Sequence, residues 1–209
     1  TLDQLAQGRL ILGVGVAADQ RNIRAEFEAA GVPFAQRGAR MQEGLELARA
    51  LWRGESVDWN GRWNMQGAVL GPECHTPDGP PIWGAGSHPA AVRRAGVMFD
   101  GWLPIWPDTA EAWAQQLKSV RDHAANAGRT PDSVSASLYA TVYVDEDADH
   151  ATATIDSFLE SYYGVPGPTM RKVQACRGGD ENAVGEWLTS FFEAGADEIV
   201  LRFAGDHKR

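Results

Sequence analysis

Lysine and cysteine are both scarce in this chain, and their scarcity argues against several kinds of chemistry. The lysines are Lys118, Lys172 and Lys208, and none of them ends a predicted strand. This disfavours an aldolase that works through a Schiff base. The cysteines, Cys74 and Cys176, are too few for a disulfide framework and have no CxxC spacing. We therefore expect free thiols and a reducing compartment, the cytoplasm.

Metal-binding and hydrolase motifs are also missing from the sequence. The histidines show no HExxH or comparable ligand spacing, and no GxSxG marks a nucleophile elbow. No apolar run approaches the roughly 20 residues of a membrane span. A net charge of −9 disfavours binding to nucleic acid or to an anionic membrane surface. The sequence predicts no metal site, no nucleic-acid partner and no membrane partner.

Short apolar runs alternate with helical periodicity along the chain. Strands covered on both faces have this pattern, and their alternation with helices indicates parallel strands joined by right-handed crossovers. The predicted strands are residues 10–16, 81–84, 101–105, 137–144 and 198–203, and the predicted helices are residues 37–52, 108–127, 147–163 and 180–194. The first helix should bury a stripe made of Met41, Leu45, Ala48 and Trp52. Asp108 and Glu111 should form a capping box at the second helix.

Residues 55–80 interrupt this alternation. Residues 57–63 are typical of a small hairpin or turn, and residues 71–81 are rich in turn-forming glycine and proline. We expect a single domain over residues 1–209, in which 55–80 is an insertion that forms a lid or a surface arm.

The most informative segment is residues 81–95, where an apolar run passes through a tight turn into a helix. The turn consists of Gly84, Ala85, Gly86, Ser87, His88 and Pro89. Ser87 or His88 occupies the position of a helix N-cap, and Pro89 suits the first helical position. The glycines leave the backbone accessible, and free amides at a helix start attract anions. The turn is either a phosphate site or an ordinary, well-capped connection.

Gly13 and Gly15 supply only part of a dinucleotide fingerprint, because the third glycine and the helix that should follow are missing. A strand end that needs small residues is the simpler interpretation. The predicted strand ends carry mostly small residues, aromatics and amides. These suit a planar, phosphate-bearing coenzyme that supplies its own reactive atoms.

In chain order, these segments resemble the bacterial luciferase-like monooxygenase family. The similarity lies in residues 2–15, in residues 26–34 with Arg37, Arg40 and Glu43, in residues 81–95 with Asp100, Gly101 and Trp102, and in residues 194–203. The resemblance implies an α/β fold, the (β/α)₈ TIM barrel of luciferase-like type. The five predicted strands would be strands 4–8, and the first three would be missing. We therefore expect an incomplete barrel from a longer chain and, because sheet edges would be exposed, a homo-oligomer.

The resemblance also implies a coenzyme, FMN or the deazaflavin coenzyme F420. Its phosphate would be held by Gly84, Ala85, Gly86, Ser87 and His88, and its ring would lie beside Gly15, Val16 and Ala17. Arg40 would either neutralise the phosphate or pair with Glu43, three residues further along the helix. Trp102 and Trp106 would either wall the ring or pack in the core. The catalytic residues stay unassigned, because the family often takes them from the first three strands.

The implied function is a flavin- or deazaflavin-dependent oxidoreductase that acts on a small organic substrate. It would be either a monooxygenase that uses O₂ and flavin from a separate reductase, or a hydride-transfer enzyme that needs no oxygen. A non-catalytic flavin-binding or scaffold protein from the same family is the alternative. A sugar-phosphate barrel enzyme is a third hypothesis.

Overall fold

The structure, a computed structural model, describes residues 1–205, so Lys208 lies outside the described part. The chain divides into two compact units, Thr1–Ile82 and Trp83–Arg209, which are described in turn. The expectation of one domain with an insertion at 55–80 stays a prediction.

The first unit consists of helices, one short strand and a hairpin. Its elements are α1 (Leu2–Ala6), β1 (Leu12–Val14), α2 (Arg21–Ala29), α3 (Arg37–Trp52), β2 (Val57–Asn60) and β3 (Asn64–Ala68). The predicted hairpin is confirmed, because β2 and β3 pair antiparallel with Asn60 opposite Asn64. Strand β1 is shorter than predicted, and its first amide, of Leu12, donates to the carbonyl of Pro81.

The bounds of α3 agree with the prediction, but its buried side differs. Leu47 is the buried residue of α3, whereas Met41, Leu45, Ala48 and Trp52 are only half-buried. The predicted stripe is therefore wrong as a core face. Its first residue, Met41, instead lines a cavity described below.

The second unit contains a parallel sheet flanked by helices. Its elements are β4 (Ile82–Ala85), α4 (Pro89–Met98), β5 (Gly101–Leu103), α5 (Ala110–Asn126), β6 (Ser135–Val144), α6 (Ala148–Tyr163), α7 (Gly167–Met170), β7 (Cys176–Gly179), α8 (Glu181–Glu193) and β8 (Glu198–Phe203). The first residue of β4, Ile82, is the last residue of the first unit. Strand β4 pairs with β5, β5 pairs with β6, and β6 pairs with both β7 and β8. Every one of these pairings is parallel, as predicted.

Strand β7 was not predicted, so five strands is an undercount. Its sequence, Cys-Arg-Gly-Gly, has no apolar run and no alternation. It forms a strand because its backbone pairs with residues 141–144 of β6. A Cβ at Gly178 would lie 3.0 Å from Ala151, so this glycine lets β7 lie close to α6.

The cap of α5 also differs from the prediction. Thr109, not Asp108, is the N-cap, and its hydroxyl accepts a hydrogen bond from the amide of Ala112. Asp108 lies one residue before the cap, where its carbonyl oxygen accepts from the indole of Trp187 at 2.9 Å. The capping box with Glu111 therefore does not form as predicted.

The core of the second unit is built around aromatic rings from its sheet and helices. Trp102, Trp113 and Phe191 are fully buried. The rings of Trp102 and Trp113 stack with centroids 5.8 Å apart, and Phe191 meets Trp113 edge-on. Trp102 is thus a core residue rather than the wall of a ligand ring, whereas Trp106 is 38% exposed. Within residues 1–205 no helix has the length and apolarity needed to cross a membrane.

Candidate functional site

The turn between β4 and α4 has the local structure that the sequence predicts. His88 is the N-cap of α4, where its Nδ1 accepts a hydrogen bond from the amide of Ala90 at 3.3 Å, and Pro89 is the first helical residue. The hydroxyl of Ser87 donates to the carbonyl oxygen of Trp106. The indole of Trp102 donates to the carbonyl of Gly86 at 3.0 Å. These three contacts fix the turn within the second unit.

The two glycines of this turn have different physical roles. Gly86 has φ +110, which side-chain-bearing residues rarely adopt. A Cβ at Gly84 would collide with the ring of Phe99, and Gly84 is buried. Gly84 is therefore required by packing, which corrects the expectation that its missing side chain opens the backbone to a ligand.

The amides of the turn are available to an anion. Among residues 1–205, no hydrogen-bond acceptor meets the amides of Gly86, Ser87 or His88. The first turn of the ten-residue helix α4 carries no acidic residue. Orphan amides and the positive end of the helix dipole together favour a bound phosphate. The geometry is thus compatible with the phosphate group of either coenzyme.

A separate cavity, of about 380 Å³, lies within the first unit and collects four of the predicted residues. They are Gly15, Val16, Ala17 and Arg40, and the other lining residues are Phe27, Arg37, Met41 and Trp63. The volume falls within the range of small-molecule sites, roughly 300–1,000 Å³. One end of β1 and one side of α3 therefore meet at a cavity that combines apolar walls with two guanidinium groups.

Arg37 supports this cavity and was not predicted as a site residue. Its Nε donates to the carbonyl of Ala17 at 3.2 Å, and its Nη1 donates to the carbonyl of Phe34 at 3.0 Å. The guanidinium also lies 3.8 Å from the centroid of the Phe34 ring. Arg37 thereby fixes the segment that follows β1. Its position three residues before Arg40 on one helix was the available signal, because such residues share a face.

Arg40 does not form the alternative ion pair considered for it. Glu43 pairs instead with Arg62, with Oε2 and Nε 3.0 Å apart. The guanidinium of Arg40 lies 5.1 Å from the centroid of the Trp63 ring. The pairing of Arg40 with Glu43 is therefore wrong, and the charge of Arg40 faces the cavity region.

The described residues contain no cluster of metal ligands, and the Cys176 thiol is not activated. No group of three or more potential metal ligands occurs among residues 1–205. Both cysteines are free, as predicted. Burial raises the pKa of the Cys176 thiol to about 11, so it stays protonated at neutral pH and is a poor nucleophile.

Comparison with known proteins identifies the family. The sequence profile described as luciferase-like monooxygenase matches residues 1–206. An F420-dependent glucose-6-phosphate dehydrogenase of Nocardia farcinica is 26% identical over 230 residues, which cover 100% of this chain and 68% of that protein. A phthiodiolone/phenolphthiodiolone dimycocerosates ketoreductase of Mycobacterium kansasii is 33% identical over 80% of this chain, but the match spans only 46% of the ketoreductase.

Solved structures show the same fold at low identity. A coenzyme F420-dependent tetrahydromethanopterin reductase from Methanopyrus kandleri matches with a TM-score of 0.71 at 17% identity, over 97% of this chain and 70% of the reductase. An F420-dependent secondary alcohol dehydrogenase matches with a TM-score of 0.77 at 19% identity, over 97% of this chain and 66% of that protein. The monooxygenase RslO1 from Streptomyces bottropensis matches with a TM-score of 0.73 at 23% identity, over 98% of this chain and 65% of the monooxygenase.

These likenesses confirm the predicted fold class, the luciferase-like α/β barrel type. The proteins with which the chain shares sequence and fold are named as dehydrogenases, reductases and monooxygenases, so its relatives are oxidoreductases. Because the family profile matches from the first residue to residue 206, the chain belongs to the luciferase-like monooxygenase family.

Proposed function

We propose that this protein is an oxidoreductase that binds coenzyme F420 or FMN and acts on a small organic substrate. The observation that carries the proposal is the family match over residues 1–206. Two features of the structure support it. The free amides at the start of α4 suit the phosphate of such a coenzyme, and the cavity in the first unit suits its ring system.

In this proposal the residues have the roles that the sequence predicts for them. The turn formed by Gly84, Ala85, Gly86, Ser87 and His88 binds the phosphate through backbone amides. Gly15, Val16 and Ala17 lie beside the ring system, and Arg40 binds an anionic group of the coenzyme. A bound F420 or FMN supplies the two-electron chemistry. The residues of this chain bind it, orient it and keep water away from it.

Between the two coenzymes, the names of the relatives favour F420. The dehydrogenase from Nocardia farcinica and two of the structural neighbours are named as F420-dependent. The corresponding reaction is hydride transfer without oxygen. The likeness to a monooxygenase supports the FMN version, in which a separate reductase supplies reduced flavin. We further propose a homo-oligomer that works in the cytoplasm.

Titration of the protein with F420 and with FMN, followed by absorbance and fluorescence, tests the proposal. We expect saturable binding of one coenzyme with a dissociation constant in the micromolar range or below. Turnover is then assayed with an oxidisable alcohol panel for F420, and with O₂ consumption for FMN. Binding without turnover of any substrate would favour the non-catalytic flavin-binding alternative, and no binding of either coenzyme would refute both.

A further inference from the structure

The hairpin β2–β3 reaches the cavity of the first unit through its turn, residues 61–63. Trp63 lines the cavity, and its ring lies beside the guanidinium of Arg40. Gly44 of α3 makes room for this ring, because a Cβ there would lie 3.3 Å from it. The turn of the hairpin is therefore built against the side of α3 that carries Arg40.

Arg62, the neighbouring residue of the turn, occupies both oxygens of Glu43. Its Nε lies 3.0 Å from Oε2, and its backbone amide donates to Oε1 at 2.5 Å. Gly61 is needed for this contact, since a Cβ at that position would collide with Oε1 of Glu43. Nη1 of Arg62 also donates to Oε1 of Gln36 at 2.8 Å.

This ion pair is better shielded from water than the helical pair Lys118–Asp122. The side chains of Arg62 and Glu43 are 29% and 23% exposed, against 76% and 57% for Lys118 and Asp122. Less exposure means less screening, so the pair between Arg62 and Glu43 is the more persistent one.

The pair between Arg62 and Glu43 determines whether the Arg40 guanidinium has a carboxylate partner on its own helix. Arg40 and Glu43 are three residues apart on α3, a spacing at which opposite charges attract each other. Glu43 is nevertheless engaged by Arg62. Among residues 1–205, no ion pair joins Arg40 to a carboxylate, and its guanidinium lies 5.1 Å from the centroid of the Trp63 ring. A guanidinium at a cavity without a carboxylate partner is poised to bind an external anion.

We infer that Arg62 is a positioning residue for anion binding: by holding Glu43 it keeps the Arg40 guanidinium available to an anionic group of the coenzyme. The inference rests on the proposed function, because it takes that anion to belong to F420 or FMN. It assigns the hairpin a role in ligand affinity through Arg62, whose side chain is not among those that line the cavity.

A double-mutant series tests the inference through dissociation constants. Arg40→Gln removes the anion-binding charge and should weaken binding of the coenzyme about tenfold, as loss of a charge-assisted hydrogen bond does. Arg62→Gln removes the ion pair with Oε2 of Glu43 and leaves only the backbone hydrogen bond to Oε1, so Glu43 can turn toward Arg40 and binding should weaken about threefold, the scale of a surface ion pair. Adding Glu43→Gln to Arg62→Gln should restore affinity to within about twofold of the wild type, because the competing carboxylate is gone.

Gln36→Ala is the matched control. It removes the hydrogen bond between Arg62 and Gln36, the N-cap residue of α3, while the Arg62–Glu43 pair remains, so affinity should not change. A purely structural role of Arg62 predicts the opposite pattern, in which the double variant binds no better than Arg62→Gln. That result, or unchanged affinity in Arg62→Gln, would overturn the inference.

A second measurement keeps the inference separate from the proposed function. The same variants are melted with and without inorganic phosphate. The inference expects phosphate to raise the melting temperature of the wild type and the double variant more than that of Arg62→Gln. If the wild type binds neither coenzyme, the proposed function fails. The phosphate series then tests only whether Arg62 keeps Arg40 open to an anion: a smaller response of Arg62→Gln supports this part of the inference, and equal responses of all variants refute it.

Discussion

At the scale of single residues, Gly84 and Gly86 show why one sequence pattern has two physical origins. Both glycines precede a helix start, and the pattern predicts an open approach for a ligand. Gly86 satisfies a backbone requirement, whereas Gly84 makes room for Phe99, fifteen positions later in the chain. The local sequence contains the first reason but not the second, because packing against a distant side chain leaves no local signal.

Gly84→Ala should therefore destabilise the protein. The added methyl group must displace the Phe99 ring in a buried site, which costs about 1–3 kcal/mol in overpacked cores. Gly185→Ala is the control, since Gly185 lies in α8 with nothing within 4 Å of an added Cβ. That substitution should stabilise the helix by about 0.5–1 kcal/mol. Urea unfolding measures both, and equal effects of the two substitutions would contradict the packing argument.

The Cys176 thiol makes stability depend on alkaline pH. Burial raises its pKa from 9.0 to about 11 in the folded state. Between these values the folded protein holds a proton that the unfolded chain releases, so stability falls as pH rises from 9 toward 11. The decrease should be on the order of 1–3 kcal/mol. Unfolding free energies at pH 8 and pH 11 measure it, and Cys176→Ala should lose this part of the pH dependence.

At the scale of elements, Arg202 contacts both the sheet and helix α6 and links the two. This residue of β8 donates to the Thr141 hydroxyl at 2.8 and 3.0 Å and to Gln174 Oε1 at 3.0 Å. Its guanidinium lies within 5.1–5.6 Å of the ring centroids of four aromatic residues: Tyr139 of β6 and Phe158, Tyr162 and Tyr163 of α6. The 198–203 strand could be predicted from its apolar residues, but this cluster could not, because it unites residues from four separate segments.

Arg202→Met should cost about 2–4 kcal/mol, because it removes several cation–π contacts and leaves the buried Thr141 and Gln174 without their donor. Arg177→Met is the control, an exposed arginine on the neighbouring strand β7, and should change stability by less than about 0.5 kcal/mol. Chemical unfolding followed by tryptophan fluorescence compares the two. A loss in Arg202→Met no larger than in the control would show that the aromatic cluster does not depend on the charge.

At the scale of the whole molecule, pattern reasoning predicted the parallel α/β class and most element positions, since hydrophobic periodicity reports burial directly. It missed β7, whose backbone is recruited by β6, and it assigned the cap of α5 one residue too early. For the candidate site, the start of α4 was predictable from His88 and Pro89. The contacts of Arg62 and Trp63 with α3 were not predictable, because they depend on the register of the hairpin and on how it packs in the tertiary structure.

Coenzyme binding should stabilise the whole molecule. A ligand present at 100 times its dissociation constant adds about 2.7 kcal/mol to the unfolding free energy. We expect the wild type to melt at a higher temperature with F420 or FMN. Ser87→Asp, which places a negative charge among the free amides, should melt at the same temperature with and without the coenzyme. Ser119→Asp, on the exposed surface of α5, is the control, and its response should match the wild type.

The tie between the hairpin turn and α3 has a use in engineering. Because Arg62 pairs with Glu43 and Trp63 lies beside Arg40, we expect a library confined to positions 62 and 63 to tune coenzyme preference while the scaffold stays intact. Position 61 has to be held constant in such a library, since a Cβ at Gly61 would collide with Oε1 of Glu43 and displace this carboxylate from Arg62.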